Sequence, residues 1–210
     1  MYKPDPVSLP LLGTIMDQLS NAQPISKIFS TPPQILCKLP GGQVYFDSKL
    51  ELDTDGWPDG KKPNGTFNGD PSWQPDTSLN YANGKSINAN TVPYFVLPKP
   101  KPWSETHGVL PGDYAAIIFK DLIAFAVFAD RGPADKIGEG SIELLRRLGE
   151  ERIKSDGSVR NLGMGSRIIT IVFPGSGRKT DRTNESSLLP KIDERGRALF
   201  TALGGVVGNG

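Results

Sequence analysis

The chain has one cysteine, Cys37, and one histidine, His107, in 210 residues. A lone cysteine excludes an internal disulfide and a cysteine-based zinc site. A lone histidine weakens any histidine metal site or Ser–His triad, and in a loop it reads as a surface residue. Formal net charge is only +1, so overall balance favours neither nucleic acid nor another polyanion as partner. No apolar run reaches the length of a membrane span. The N-terminus has no basic stretch leading into an apolar core, so no signal peptide is expected. Internal repeats are absent. Residues 161–166 (NLGMGS) have glycines but neither the lysine nor the preceding strand of a phosphate loop. No metal or cofactor is expected, and any catalysis falls to carboxylates.

Glycine (24) and proline (19) are plentiful, so loops should be many and helices few. The most informative stretch is LIAFAVFADRGPADKIGEGSIELLRRLG, residues 122–149. Residues 122–129 are all apolar, as in a strand covered on both faces. The run stops at Asp130, a polar turn-rich loop follows, and Glu139 closes it. Ser141 can cap a helix carrying Ile142, Leu144, Leu145 and Leu148, with a stop at Gly149. That helix could run on, kinked, to Lys154. Two carboxylates on one folded-back loop could serve a single bond as acid and base. Spacing alone also fits ordinary surface charges on an exposed loop, and by itself favours that reading.

Elsewhere the pattern predicts a helix near residues 11–19 and a hairpin over 35–47 turning at Pro40-Gly41-Gly42. Strands follow at 92–98, 114–119 and 167–173. The residues 114–119 and the central run pair as a hairpin through Lys120-Asp121. Residues 98–103 are a proline-rich connector, 178–187 a mobile polar stretch, and 190–203 a helix with a loose tail after it. Residues 48–92 form a long irregular region whose aromatics, Trp57, Phe67, Trp73 and Tyr81, argue for order. Trp57 and Trp73 could either stack on sugar rings or pin the loop to the domain. The acids of this region, among them Asp53, Asp55 and Asp76, make a local negative field. Asp53, Asp55 and Gly56 begin like a calcium loop, but Trp57 and Asn64 break the twelve-residue pattern.

Asp130-Arg131-Gly132-Pro133 followed by a Ser-capped helix ending in Leu-Gly resembles the signature of double-psi β-barrels. A narrower set of motifs, among them LDTDG (52–56), DTSL (76–79), VPYFVLP (92–98), GDYAAII (112–118), AVFAD (126–130), KIGEGS (136–141) and IVFPGSG (171–177), resembles the fungal-type chitosanases of glycoside hydrolase family 75. Ala129 stands where that family usually has glycine. The resemblance implies a mainly β domain with a few helices, built on a six-stranded double-psi β-barrel-like core with long loops. The motifs cover roughly residues 45–177, and the catalytic domain is expected over 36–177, between an arm at 1–35 and a C-terminal extension at 178–210. The resemblance also implies inverting endo-hydrolysis of chitosan, with Asp130 and Glu139 as the catalytic pair, Asp130 the base and Glu139 the acid. Asp53, Asp55, Asp76, Asp113, Tyr94 and Trp57 become candidates for substrate binding, although Asp113 in Pro-Gly-Asp also reads as a turn residue. Lys136 and the helix start both favour a charged Glu139, which opposes an acid role. The expected protein is a secreted monomer acting on a polycation. Rival readings are a peptidoglycan glycosidase or lytic transglycosylase on the same barrel, or an expansin-like binding module.

Overall fold

The computed structural model describes residues 9–28, 34–60, 69–99 and 107–207. Phe67 and most of the proline-rich connector lie outside them. The strands are β1 (Gln23–Ile28), β2 (Gln34–Lys38), β3 (Val44–Asp53), β4 (Tyr94–Pro98), β5 (Tyr114–Phe119), β6 (Leu122–Gly132), β7 (Glu139–Ser141) and β8 (Met164–Phe173). The helices are α1 (Leu9–Leu12), α2 (Ile15–Ser20), α3 (Ile142–Arg147) and α4 (Glu185–Ala202). Six strands in the order β3-β7-β4-β6-β5-β8 close into a barrel through a β3–β8 pairing. The pairings are mixed: β3–β7 and β4–β6 are parallel, the others antiparallel. This is the mainly β, six-stranded barrel that the family resemblance implies.

The central apolar run is β6, and Ala124 to Ala129 are all buried. Its hairpin with β5 turns at Lys120, whose φ of 54° supplies the left-handed backbone that a tight turn needs. Ser141 joins barrel to helix. Its buried Oγ accepts from Leu144 N as the cap of α3, accepts from Tyr94 N and donates to Val92 O. Helix α4 lies on β5 and β6, with Phe200 edge-on to Phe125.

Several expectations are corrected. Asp130 does not begin a loop: β6 continues to Gly132, because β4 pairs in parallel with it through Val96, Leu97 and Pro98. Glu139 likewise sits in a strand. Helix α3 stops at Arg147, capped at Leu148, and Gly149 turns away with φ +85°. The segment 11–19 is two short helices parted by Gly13, also at positive φ. Strand β8 starts at Met164, three residues before the apolar run, because an irregularity in register carries the pairing past Gly165. The stretch 178–187 is built into the fold. It contains a 3-10 turn whose Asp181 is buried, accepting from the Tyr114 hydroxyl and pairing with Arg195. A capping box of Asn184 and Ser187 starts α4 at Glu185 and leaves Pro190 inside the helix. The described part of the tail, 204–207, is tied down, since Thr14 N donates to Gly204 O and Val206 N to Leu11 O. Among the described residues no helix is long and apolar enough to cross a membrane.

Candidate active site

Three strand ends meet at Val96 of β4. Its register partner on one side is Asp130 of β6, and on the other Glu139 of β7. Paired residues project to the same face of a sheet, and each strand step is about 4.8 Å. The two acids therefore share a face with their Cα atoms roughly 9.5 Å apart. A bulge sets this up: the β4–β6 register passes from Phe95↔Phe128 to Val96↔Asp130, leaving Ala129 as the extra residue. Gly138 takes φ +86° where the chain crosses the β3 backbone, and its carbonyl accepts from Glu51 N at 2.7 Å. Gly132 is needed for space, because a Cβ there would lie 2.5 Å from Glu139 Oε2.

Asp130 is 6 % exposed. Its Oδ1 accepts from Ser78 N at 2.8 Å and from Ser78 Oγ at 2.6 Å. Beside it stand Asp53 and Asp55, brought there by the end of β3 and the turn after it. One oxygen of each of the three carboxylates lies within 4.8 Å of the others. Asp53 Oδ1 accepts from Asp55 N at 2.8 Å, and Asp55 Oδ1 from Gln74 N at 2.6 Å. Burial pushes the Asp53 carboxyl up to about 7 against the pull of the Asp55 N–H, and the charges of Asp130 and Glu139 add to the push. Burial, then the charge of Asp53, pushes Asp55 up to about 8. Negative charge is thus crowded here, and a cation reaching the three carboxylates would relieve it. A metal ion or an alkylammonium group would each satisfy that chemistry.

Glu139 has a different neighbourhood. Lys136 Nζ lies 2.6 Å from Glu139 Oε1 and 2.7 Å from Glu51 Oε2, and Lys49 also pairs with Glu51. Partial burial opposes the charge on Lys136, but its bonds to Glu139 and Glu51 outweigh that and raise it. Partial burial likewise opposes charge on Glu51, and Lys136 and Lys49 outweigh it and lower Glu51. The expected Lys136–Glu139 pairing is present, with Glu51 as a second anion on the same lysine.

These groups line one cleft of about 1160 Å³. Six carboxylates (Glu51, Asp53, Asp55, Asp70, Asp130, Glu139) face three cations (Lys99, Arg131, Lys136). The structure thus gathers Asp53, Asp55, Asp130 and Glu139, and leaves the other candidates elsewhere. Trp57 is 4 % exposed and does not line the cleft. Its ring is part of the domain's hydrophobic core, so it pins the loop to the domain and is not placed to stack on a sugar. Tyr94 is fully buried, with its hydroxyl donating to Asp55 O at 3.0 Å, so it props the Asp55 turn from beneath. Asp76 faces a separate pocket and accepts from Ser86 Oγ. Asp113 is buried and accepts three backbone N–H groups, from Leu110, Gly175 and Gly177, which is the turn role. Among the described residues no aromatic side chain lines the cleft; Leu162 and Met164 supply its apolar wall. Sequence reasoning passed over Ser78, Gly132, Lys136 as a bridge, and this wall. The wall belongs to the NLGMGS stretch, weighed only as a phosphate loop.

The family model described as fungal chitosanase of glycosyl hydrolase group 75 matches residues 50–198. No curated protein matches the chain.

Proposed function

The chain belongs to the group 75 chitosanase family of glycoside hydrolases, and from that premise we propose that it is an inverting endo-chitosanase. It cleaves β-1,4 linkages between glucosamine units with Asp130 as general base and Glu139 as general acid. The observation that carries this reading is the shared register of the two acids across Val96, on one face and in one cleft. Inversion asks for a water between base and sugar, and strand β4 standing between the two acids supports that wider spacing. Among the described residues Asp130 is met by two donors from Ser78 and by no cation, which suits an acceptor of the water's proton. Glu139 must take up a proton before it can protonate the leaving oxygen. Lys136 opposes that, but Glu51 shares the lysine's charge, so Glu139 does not face it alone.

Substrate preference follows from charge. Glucosamine units present ammonium groups, and Asp53 and Asp55 stand beside Asp130 to receive one. The protein acts as a secreted monomer on the polymer, and the reaction asks for no cofactor. The test is release of reducing ends from soluble chitosan, chitin and purified peptidoglycan. Release from chitosan above the other two is expected. Preferential release from peptidoglycan would overturn the substrate assignment, and release from none would overturn the activity.

A further inference from the structure

Ser78 stands 52 positions from Asp130 in sequence and meets it twice, through N and through Oγ, on the same carboxylate oxygen. The direction of its hydroxyl is fixed. Ser78 Oγ accepts from Arg131 N at 3.2 Å, so its own proton is left to point at Asp130 Oδ1. The next residue secures the loop: Leu79 N donates to Ala129 O at 2.8 Å, the carbonyl of the bulge residue. Thr77 braces the other flank, donating to Leu79 O and accepting from Ile87 N. Ser78 itself is exposed, so the barrel core does not depend on its side chain. Thr77 to Leu79 thus grip Ala129, Asp130 and Arg131 of β6 by backbone and side chain together.

We propose that Ser78 is a positioning residue for catalysis: it latches Asp130 Oδ1 so that the other carboxylate oxygen is presented to the attacking water. This rests on the assignment of Asp130 as base. Without the hydroxyl, Asp130 keeps only the Ser78 N–H to hold its Oδ1 in place beside Asp53 and Asp55, and a misplacement of about 1 Å in such a group costs on the order of 100-fold.

The test compares Ser78→Ala, Ser78→Thr and Asp130→Asn on a chitosan oligomer of defined length. Ser78→Ala is expected to lower kcat about 10- to 100-fold with KM little changed. Ser78→Thr keeps the hydroxyl and should recover most of the loss. Ser78→Cys, close in size and a weaker donor, should resemble Ser78→Ala and stands in for it should that variant fold poorly. Wild-type kcat in Ser78→Ala or Ser78→Cys, or an equal loss in Ser78→Thr, with Asp130→Asn inactive, would overturn the latch and leave the base assignment standing. An active Asp130→Asn would instead remove the base assignment.

Discussion

Two groups of buried acids flank the C-terminal half of β6, and they are built on opposite principles. On the β5 side, Asp113 accepts three backbone N–H groups, and Asp181 accepts from Tyr114 and pairs with Arg195. There each acid is answered by donors. On the β4 side, Asp53, Asp55 and Asp130 turn oxygens toward one another within 4.8 Å, and burial holds Asp53 and Asp55 well above the ordinary carboxylate range. The first group joins the 173–181 segment to the barrel. The second leaves negative charge partly uncompensated in an open cleft. Burial alone therefore does not mark a functional acid; what surrounds its oxygens does.

The largest effect that would sharpen this contrast is on turnover. Asp130→Asn and Glu139→Gln should each lower chitosan hydrolysis by roughly 10²–10⁴-fold while leaving thermal unfolding nearly unchanged. Asp113→Asn, assayed well below its own Tm, should retain activity within a few-fold. Equal losses at Asp113 and Asp130 would erase the distinction.

Next in size is stability on the β5 side. Asp181→Ala strands Arg195 and the Tyr114 hydroxyl at a buried junction, a loss of about 2–4 kcal/mol, or a Tm lowered by roughly 5–15 °C. Calorimetry at constant pH measures it. A Tm within a degree or two of wild type would mean that the pair is ornamental.

A smaller effect concerns pH. Asp53 and Asp55 bind their protons more tightly in the folded chain than in the unfolded one, whose carboxyls titrate near 3.8. The folded state then holds more protons between about pH 4 and pH 8, so stability falls as pH rises through that window. Asp55→Asn removes part of the penalty. It should gain about 1–2 kcal/mol, or roughly 3–6 °C, at pH 8 and nothing at pH 4. A gain equal at both pH values would contradict the crowding argument. Smallest is the salt effect: KM for chitosan should rise a few-fold as added salt screens the cleft. A flat KM would remove the electrostatic part of substrate recognition.

Strands β4, β5, β6 and β8 were legible as apolar runs punctuated by Gly, Pro and Asp, and β5 and β6 as a hairpin through a two-residue turn; β7 and the far half of β3 were not, and the closed barrel came from the resemblance. Ser141 as a cap was legible from the apolar spacing behind it. Asp130 and Glu139 stood out through the motif around them, but their geometry did not. Their common neighbour, Val96, lies over 30 positions upstream of Asp130, and the bulge at Ala129 that aligns them has no local signature. Ser78 reaches Asp130 across an irregular loop where no periodicity exists to extrapolate. Trp57 could be foreseen as pinning the loop or as meeting a sugar; only its burial decides, and it pins the loop. Strand β8 began early because Met164 pairs with Leu50 beyond a register irregularity, a contact with no β pattern around it in the sequence. Long-range pairing and loop docking are what a local reading leaves out.

The most direct measurement on the site is the anomeric form of the first products, followed by proton NMR during chitosan digestion. A water held between Asp130 and the sugar, with Glu139 across the linkage, predicts that new reducing ends appear as the α-anomer and only then mutarotate. Initial β-anomer would contradict the account, because it would require one of the two acids to attack the sugar itself.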